Sequence, residues 1–170
     1  TDPFSVAYRI KDIVKAGNSN LVTKFTGLGS NAGWGMFRDT DANARVVFRL
    51  SNGTTTYQVV STVGSIPLEI WTHVVCTFSG NSDQNGLKVY INSILNNTGA
   101  SLAITGSLLN ANSVVVGASS AGASIFTGQM ADVQIWNVEL TSTEVTDLFN
   151  GKQITRTTNG GRIGLMDCVA

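Results

Sequence analysis

The chain has 170 residues, with 11 Lys and Arg against 11 Asp and Glu, a formal net charge of +0 and only 13% charged side chains. That balance leaves no basic surplus for a phosphate backbone and argues against nucleic acid as a partner, and no apolar run approaches the ~20 residues of a membrane helix. The length suits one domain, residues 1–170, able to bury a core without metals or disulfides, under a surface of Ser, Thr, Asn and Gly typical of secreted or particle-surface β proteins.

The first ten residues show no charged-then-apolar signal pattern, so an export signal is expected to be removed or never present. Phe4–Ile10 alternates apolar and polar residues, the pattern of a strand with one buried face. Leu21–Phe25 reads as a short strand and Gly27–Gly33 as a glycine-rich loop. Trp34–Arg38 and Arg45–Leu50 read as a strand pair across Asp39–Ala44. Asn52-Gly53 predicts a type I′ hairpin turn, followed by the Thr-, Tyr- and Val-rich strand Thr54–Ser61.

The most regular stretch is Trp71–Asn92. In Thr72–Phe78, Val74, Cys76 and Phe78 fall on one face, with His73, Val75 and Thr77 on the other. In Leu87–Asn92 the inner set is Leu87, Val89 and Ile91, and the outer set Lys88, Tyr90 and Asn92. The polar Ser79–Gly86 joins them as a turn, so the stretch is a hairpin. Residues 93–109 are expected to hold one irregular edge strand, Val114–Gly117 a short buried one, and Phe126–Asn137 a strand with Ala131, Val133 and Ile135 on one face. Thr141-Ser142-Thr143-Glu144 fits a capping box and opens a short helix near residues 142–150, with Val145, Leu148 and Phe149 as its apolar side and Gly151 as its stop. Arg162–Val169 reads as a final strand. Many short strands between turn signals predict an all-β sandwich or barrel.

Trp71-x-His73-Val74-x-x-Thr77-Phe78-x-Gly80, then Leu87-x-Val89-Tyr90-Ile91-Asn92 after a polar loop, is similar to the central hairpin of laminin-G-like, concanavalin A-like jelly-roll domains. Phe126–Asn150 resembles their closing strand and short helix. The resemblance implies a two-sheet antiparallel jelly-roll sandwich. It also implies a strand before the one matched by Phe4–Ile10, and Arg162–Val169 resembles that opening strand. The terminal strand 162–169 is therefore expected either to be permuted onto its own sheet or to be exchanged with a neighbouring copy.

Some members of this family are β-glucanases, which need two carboxylates ~5–5.5 Å apart. Glu69, Glu139 and Glu144 are assigned to two turns and a helix cap, none beside a second acid in mid-strand, so no catalytic residue and no enzyme activity is expected. His73, the only histidine, has no nucleophile motif or metal-ligand spacing around it and reads as a fixed hydrogen-bonding residue. No cofactor is expected apart from a calcium ion. Asp39 and Asp41 are its candidate ligands, although two acids fall short of six to eight oxygens. In some relatives an Asp on the closing strand contributes, where this chain has Ala131 followed by Asp132.

Trp34, Tyr57, Tyr90 and Trp136 are the candidate glycan-binding aromatics, each in competition with ordinary packing, and Trp71 reads as a core-edge anchor. Cys76 reads as a buried thiol that Cys168 reaches only if the final strand is its neighbour. Asn52-Gly53-Thr54 and Asn96-Asn97-Thr98 fit N-glycosylation sequons. Together these features predict a non-catalytic structural or adhesive module of a virion surface (decoration, fibre or tail protein) or an extracellular assembly. Its partners would be copies of itself, neighbouring virion or surface proteins, and glycans, with no membrane insertion. The alternative is a monomeric carbohydrate-binding module recognising a surface glycan.

Overall fold

A computed structural model describes residues 2–13, 17–25, 31–39, 43–155 and 161–166 of the chain. The strands are β1 (Phe4–Asp12), β2 (Ser19–Thr23), β3 (Ala32–Arg38), β4 (Val46–Asn52), β5 (Thr56–Val60), β6 (Thr72–Phe78), β7 (Leu87–Ile91), β8 (Ile94–Thr98), β9 (Val115–Val116), β10 (Gly128–Trp136) and β11 (Arg162–Met166), with one helix, α1 (Ser142–Phe149). They form a six-stranded sheet in the order β11-β10-β1-β6-β7-β8 and a five-stranded sheet in the order β5-β4-β3-β2-β9. This is the two-sheet antiparallel jelly-roll sandwich that the sequence predicts. Among the described residues no helix is long and apolar enough to cross a membrane.

Alternation builds the core between the sheets. Val6, Tyr8 and Ile10 of β1 and Val74, Cys76 and Phe78 of β6 meet Leu21, Met36, Phe48, Leu50 and Tyr57 from the facing sheet. Each such side chain contributes ~1.5–3 kcal/mol by leaving water. Both faces of β6 are covered, because every residue of Thr72–Phe78 is buried. The second cover is α1. Its Val145 and Leu148 pack with Leu140 onto Ala7, Val75, Tyr90 and Trp136, a second core on the outer face of the six-stranded sheet. The capping box forms as predicted: the Thr141 side chain accepts from the Glu144 N–H, and the Glu144 carboxylate accepts from the Thr141 N–H at 2.8 Å. Gly151, at φ 75°, follows the last turn.

Three local readings change. Of Asn52-Gly53 only Gly53 has positive φ, and the Asn52 Oδ1 instead accepts from the N–H groups of Thr54 and Thr55, so the loop is a wider Asx-type turn. The tight two-residue turn falls at Asn92-Ser93, with φ of 48° and 72°, and joins β7 to the edge strand β8. In β10, Asp132 adopts φ 52° inside a bulge, where Ala7 pairs with Gln134 but Arg9 pairs with Ala131. The extra residue puts Ala131 on the outer face, away from Val133 and Ile135. β11 pairs antiparallel with β10 of the same chain, Trp136 opposite Arg162 and Ile135 opposite Gly164.

Candidate functional site

The outer face of the six-stranded sheet carries a hollow. Arg9 lies opposite both His73 and Ala131, Ala7 opposite Gln134 and Val75, and Ser5 opposite Trp136. Beside the C-terminal end of α1 the outer-face side chains leave open space. A cavity of about 570 Å³ results, with Arg9, His73, Gln134 and Trp136 on the sheet side, Leu148 and residues 151–155 above, and Gly161 and Arg162 beside it.

Its polar groups are incompletely satisfied. The Nδ1 of His73 and the Nε1 of Trp136 are buried without a hydrogen-bond partner among the described residues, and the two residues are only 4% and 3% exposed. Leaving such a group unmatched costs ~1–3 kcal/mol. Gln134 and Gln153 add side-chain amides to the same lining.

Charge is arranged in pairs with one exception. The Arg9 Nε donates to Asp132 at 3.1 Å, and its Nη2 donates to the Phe149 carbonyl at 2.9 Å, where a cation offsets the negative end of α1. Lys152 is held by Asp147 at 2.9 Å. Arg162 is exposed and makes no ion pair among the described residues. Burial, reinforced by the Arg9 charge and opposed by Asp132, lowers the His73 pKa to about 4, so its imidazole is neutral at pH 7.

Of the four aromatics expected to hold glycan, only Trp136 lines this cavity. Tyr90 is buried on the same face with the α1 cluster. Tyr57 lies in the main core, its hydroxyl accepting from the Thr105 N–H at 3.1 Å. Trp34 is half-buried at the core margin, its ring 5.2 Å from that of Phe4. Trp71, expected as a core-edge anchor, is instead 45% exposed.

The Asp39 carboxylate is engaged by the Arg45 Nε at 2.5 Å and the Asn43 amide at 3.3 Å, and Asp41 lies outside the described residues. Among the described residues no group of three or more His, Cys, Asp or Glu side chains gathers as a metal site. Glu139 binds Lys88 at 2.8 Å, Glu144 caps α1, and Glu69 sits in a turn at φ 58°. Cys76 is a buried free thiol whose pKa burial pushes well up, and Cys168 lies outside the described residues. The sequon residues Asn52 and Asn96 spend their amides on Thr105 and Thr62. His73 is the cavity residue that sequence reasoning set aside. Its spacing pattern carried only the signal of an outer-face position.

A family model described as the concanavalin A-like lectin/glucanases superfamily matches residues 1–146. No curated protein matches the chain in sequence. Among solved structures, a heptameric SAP-like pentraxin from Limulus polyphemus is similar at 20% identity and TM-score 0.64, covering 87% of this chain and 70% of the pentraxin. The CBM40 module of a Ruminococcus gnavus IT-sialidase, solved bound to α2,3 sialyllactose, aligns at 17% identity and TM-score 0.67 over 87% of this chain and 83% of the module. Botulinum neurotoxin type C, described as entering cells through two ganglioside molecules, aligns at 20% identity and TM-score 0.63 over 91% of this chain. The chain spans only 36% of that toxin chain. At these identities the likeness establishes the fold.

Proposed function

The chain belongs to the concanavalin A-like lectin/glucanases superfamily, and on that premise we propose that it is a non-catalytic glycan-binding module whose site is the cavity over the outer sheet face. One observation carries the reading: His73 and Trp136, each with a buried ring nitrogen that has no hydrogen-bond partner among the described residues, both line an open polar cavity. A saccharide hydroxyl can accept from the indole N–H and exchange a hydrogen bond with the neutral imidazole, while the Gln134 and Gln153 amides bridge vicinal hydroxyls. Trp136 and Leu148 supply apolar walls for a sugar face. The sialyllactose-bound module and the ganglioside-dependent toxin, each on this fold, support the choice of ligand.

The module serves adhesion on a virion or another extracellular assembly, a reading supported by its 13% charged side chains and its Ser-, Thr- and Asn-rich surface. We take it as one domain whose terminal strand is permuted onto its own sheet, supported by the β10–β11 pairing. Non-catalysis is supported by the employment of Glu139 in an ion pair and Glu144 in a cap.

A glycan array probed with the wild-type chain and with the double variant Gln134→Ala/Gln153→Ala tests the proposal. Binding by the wild type, weakened in the variant at unchanged Tm, is the expected result. Glycan binding that the variant retains in full would place the site elsewhere.

A further inference from the structure

The cavity holds one cation that no acidic side chain answers among the described residues. Of its three basic groups, Arg9 is paired with Asp132 and Lys152 with Asp147, but Arg162 has no acidic partner among the described residues. Arg162 is also placed by register. It pairs with Trp136 across β10 and β11, so the two side chains emerge as neighbours on the same face of the sheet. Arg162 and Trp136 therefore line the same cavity from adjacent strands, a charged fork beside a residue whose indole N–H has no partner among the described residues.

Two features make this more than a surface charge. Net charge over the sequence is +0, so a surplus at one cavity is local rather than a share of a general excess. The donor set is also lopsided: the indole and the guanidinium offer only N–H groups, and Asp132, the one carboxylate in the lining among the described residues, is already bound by Arg9.

Resting on the glycan-binding reading, we infer that the cavity selects saccharides bearing an anionic group, a carboxylate or a sulfate ester, and that Arg162 is the residue that reads it. The planar guanidinium accommodates either group through two parallel N–H···O bonds, the geometry that gives arginine its advantage over lysine. The Trp136 N–H and the Gln134 amide then hold the hydroxyls of the same sugar ring. The indole also fixes which side of the ring faces the sheet.

The test uses an array of matched glycans on one backbone, in neutral, uronate and sulfated forms, probed with wild type, Arg162→Gln and Arg162→Lys. Wild type should prefer the anionic forms by about tenfold, the scale of one charge-assisted pair, and the preference should shrink as salt is raised. Arg162→Gln should bind neutral and anionic forms alike, with Arg162→Lys between the two, all at an unchanged Tm because the side chain is exposed. A carboxylate-only or sulfate-only preference identifies the group and supports the inference. Equal binding of neutral and anionic forms by the wild type overturns it and leaves the glycan module standing, as does an anionic preference that survives Arg162→Gln. Binding of no glycan in any form overturns both.

Discussion

Replacing His73 with Phe should change how the protein responds to acid. In the unfolded chain the imidazole titrates at its ordinary value of 6.5, whereas in the fold it does so at about 4. Between those values the unfolded state holds more protons than the folded one, so stability falls as pH drops, at ~1.4 kcal/mol per unit. Integrating over the two titrations gives a loss of about 2 kcal/mol between pH 7 and pH 4.5 from this residue alone. A phenyl ring takes up no proton, so His73→Phe should lack that part of the pH slope. Carboxylate titrations are common to both proteins and cancel in the difference. At pH 7 the variant also loses the unpartnered Nδ1, and the ring contact with Phe149, at 5.8 Å between centroids, can be kept by a phenyl group. Urea unfolding of both proteins at half-unit steps from pH 7 to 4.5 measures the effect. Parallel stability curves for the two would refute the account of a buried, neutral His73 at the cavity.

Two further outcomes follow from the packing. The Arg38 Nε and Asp12 Oδ2 lie 2.5 Å apart with both side chains 1% exposed, so Arg38→Met should cost ~3–5 kcal/mol by stranding a buried carboxylate. Denaturant midpoints should recover when Asp12→Leu is added, and a midpoint unmoved by Arg38→Met would show the pair to be hydrated. Thr141→Ala removes the cap of α1 and should cost ~1 kcal/mol. Because α1 roofs the outer face, glycan affinity should fall along with the Tm, and an unchanged affinity would detach the helix from the site.

Much of the fold was readable because its signals are local. β6 and β7 send every second residue, Val74, Cys76 and Phe78 with Leu87 and Val89, into the core, and Thr141 and Glu144 announce α1 within four residues. The site was far less legible, because its floor is assembled across crossovers. β1 runs between β6 and β10, so Arg9, His73 and Gln134 become neighbours from distant parts of the chain. No period-two pattern reports that order, nor that a helix will bury the side on which Val75 and Tyr90 lie. The bulge at Asp132 is invisible to alternation for the same reason, since it breaks the very pattern being counted. Trp136 was legible as an aromatic candidate, but Trp34 and Tyr57 belong to the other sheet, and their packing there is a tertiary outcome.

The central claim is that the ligand sits over Trp136, and the chain makes this measurable because it has only three tryptophans. An ¹⁵N-correlated NMR titration with the best array glycan should shift the Trp136 indole N–H and the Gln134 and Gln153 side-chain amides, leaving the Trp34 and Trp71 indoles in place. A shift of the Trp34 or Trp71 indole with Trp136 unmoved would contradict the account and move the site off the outer sheet face.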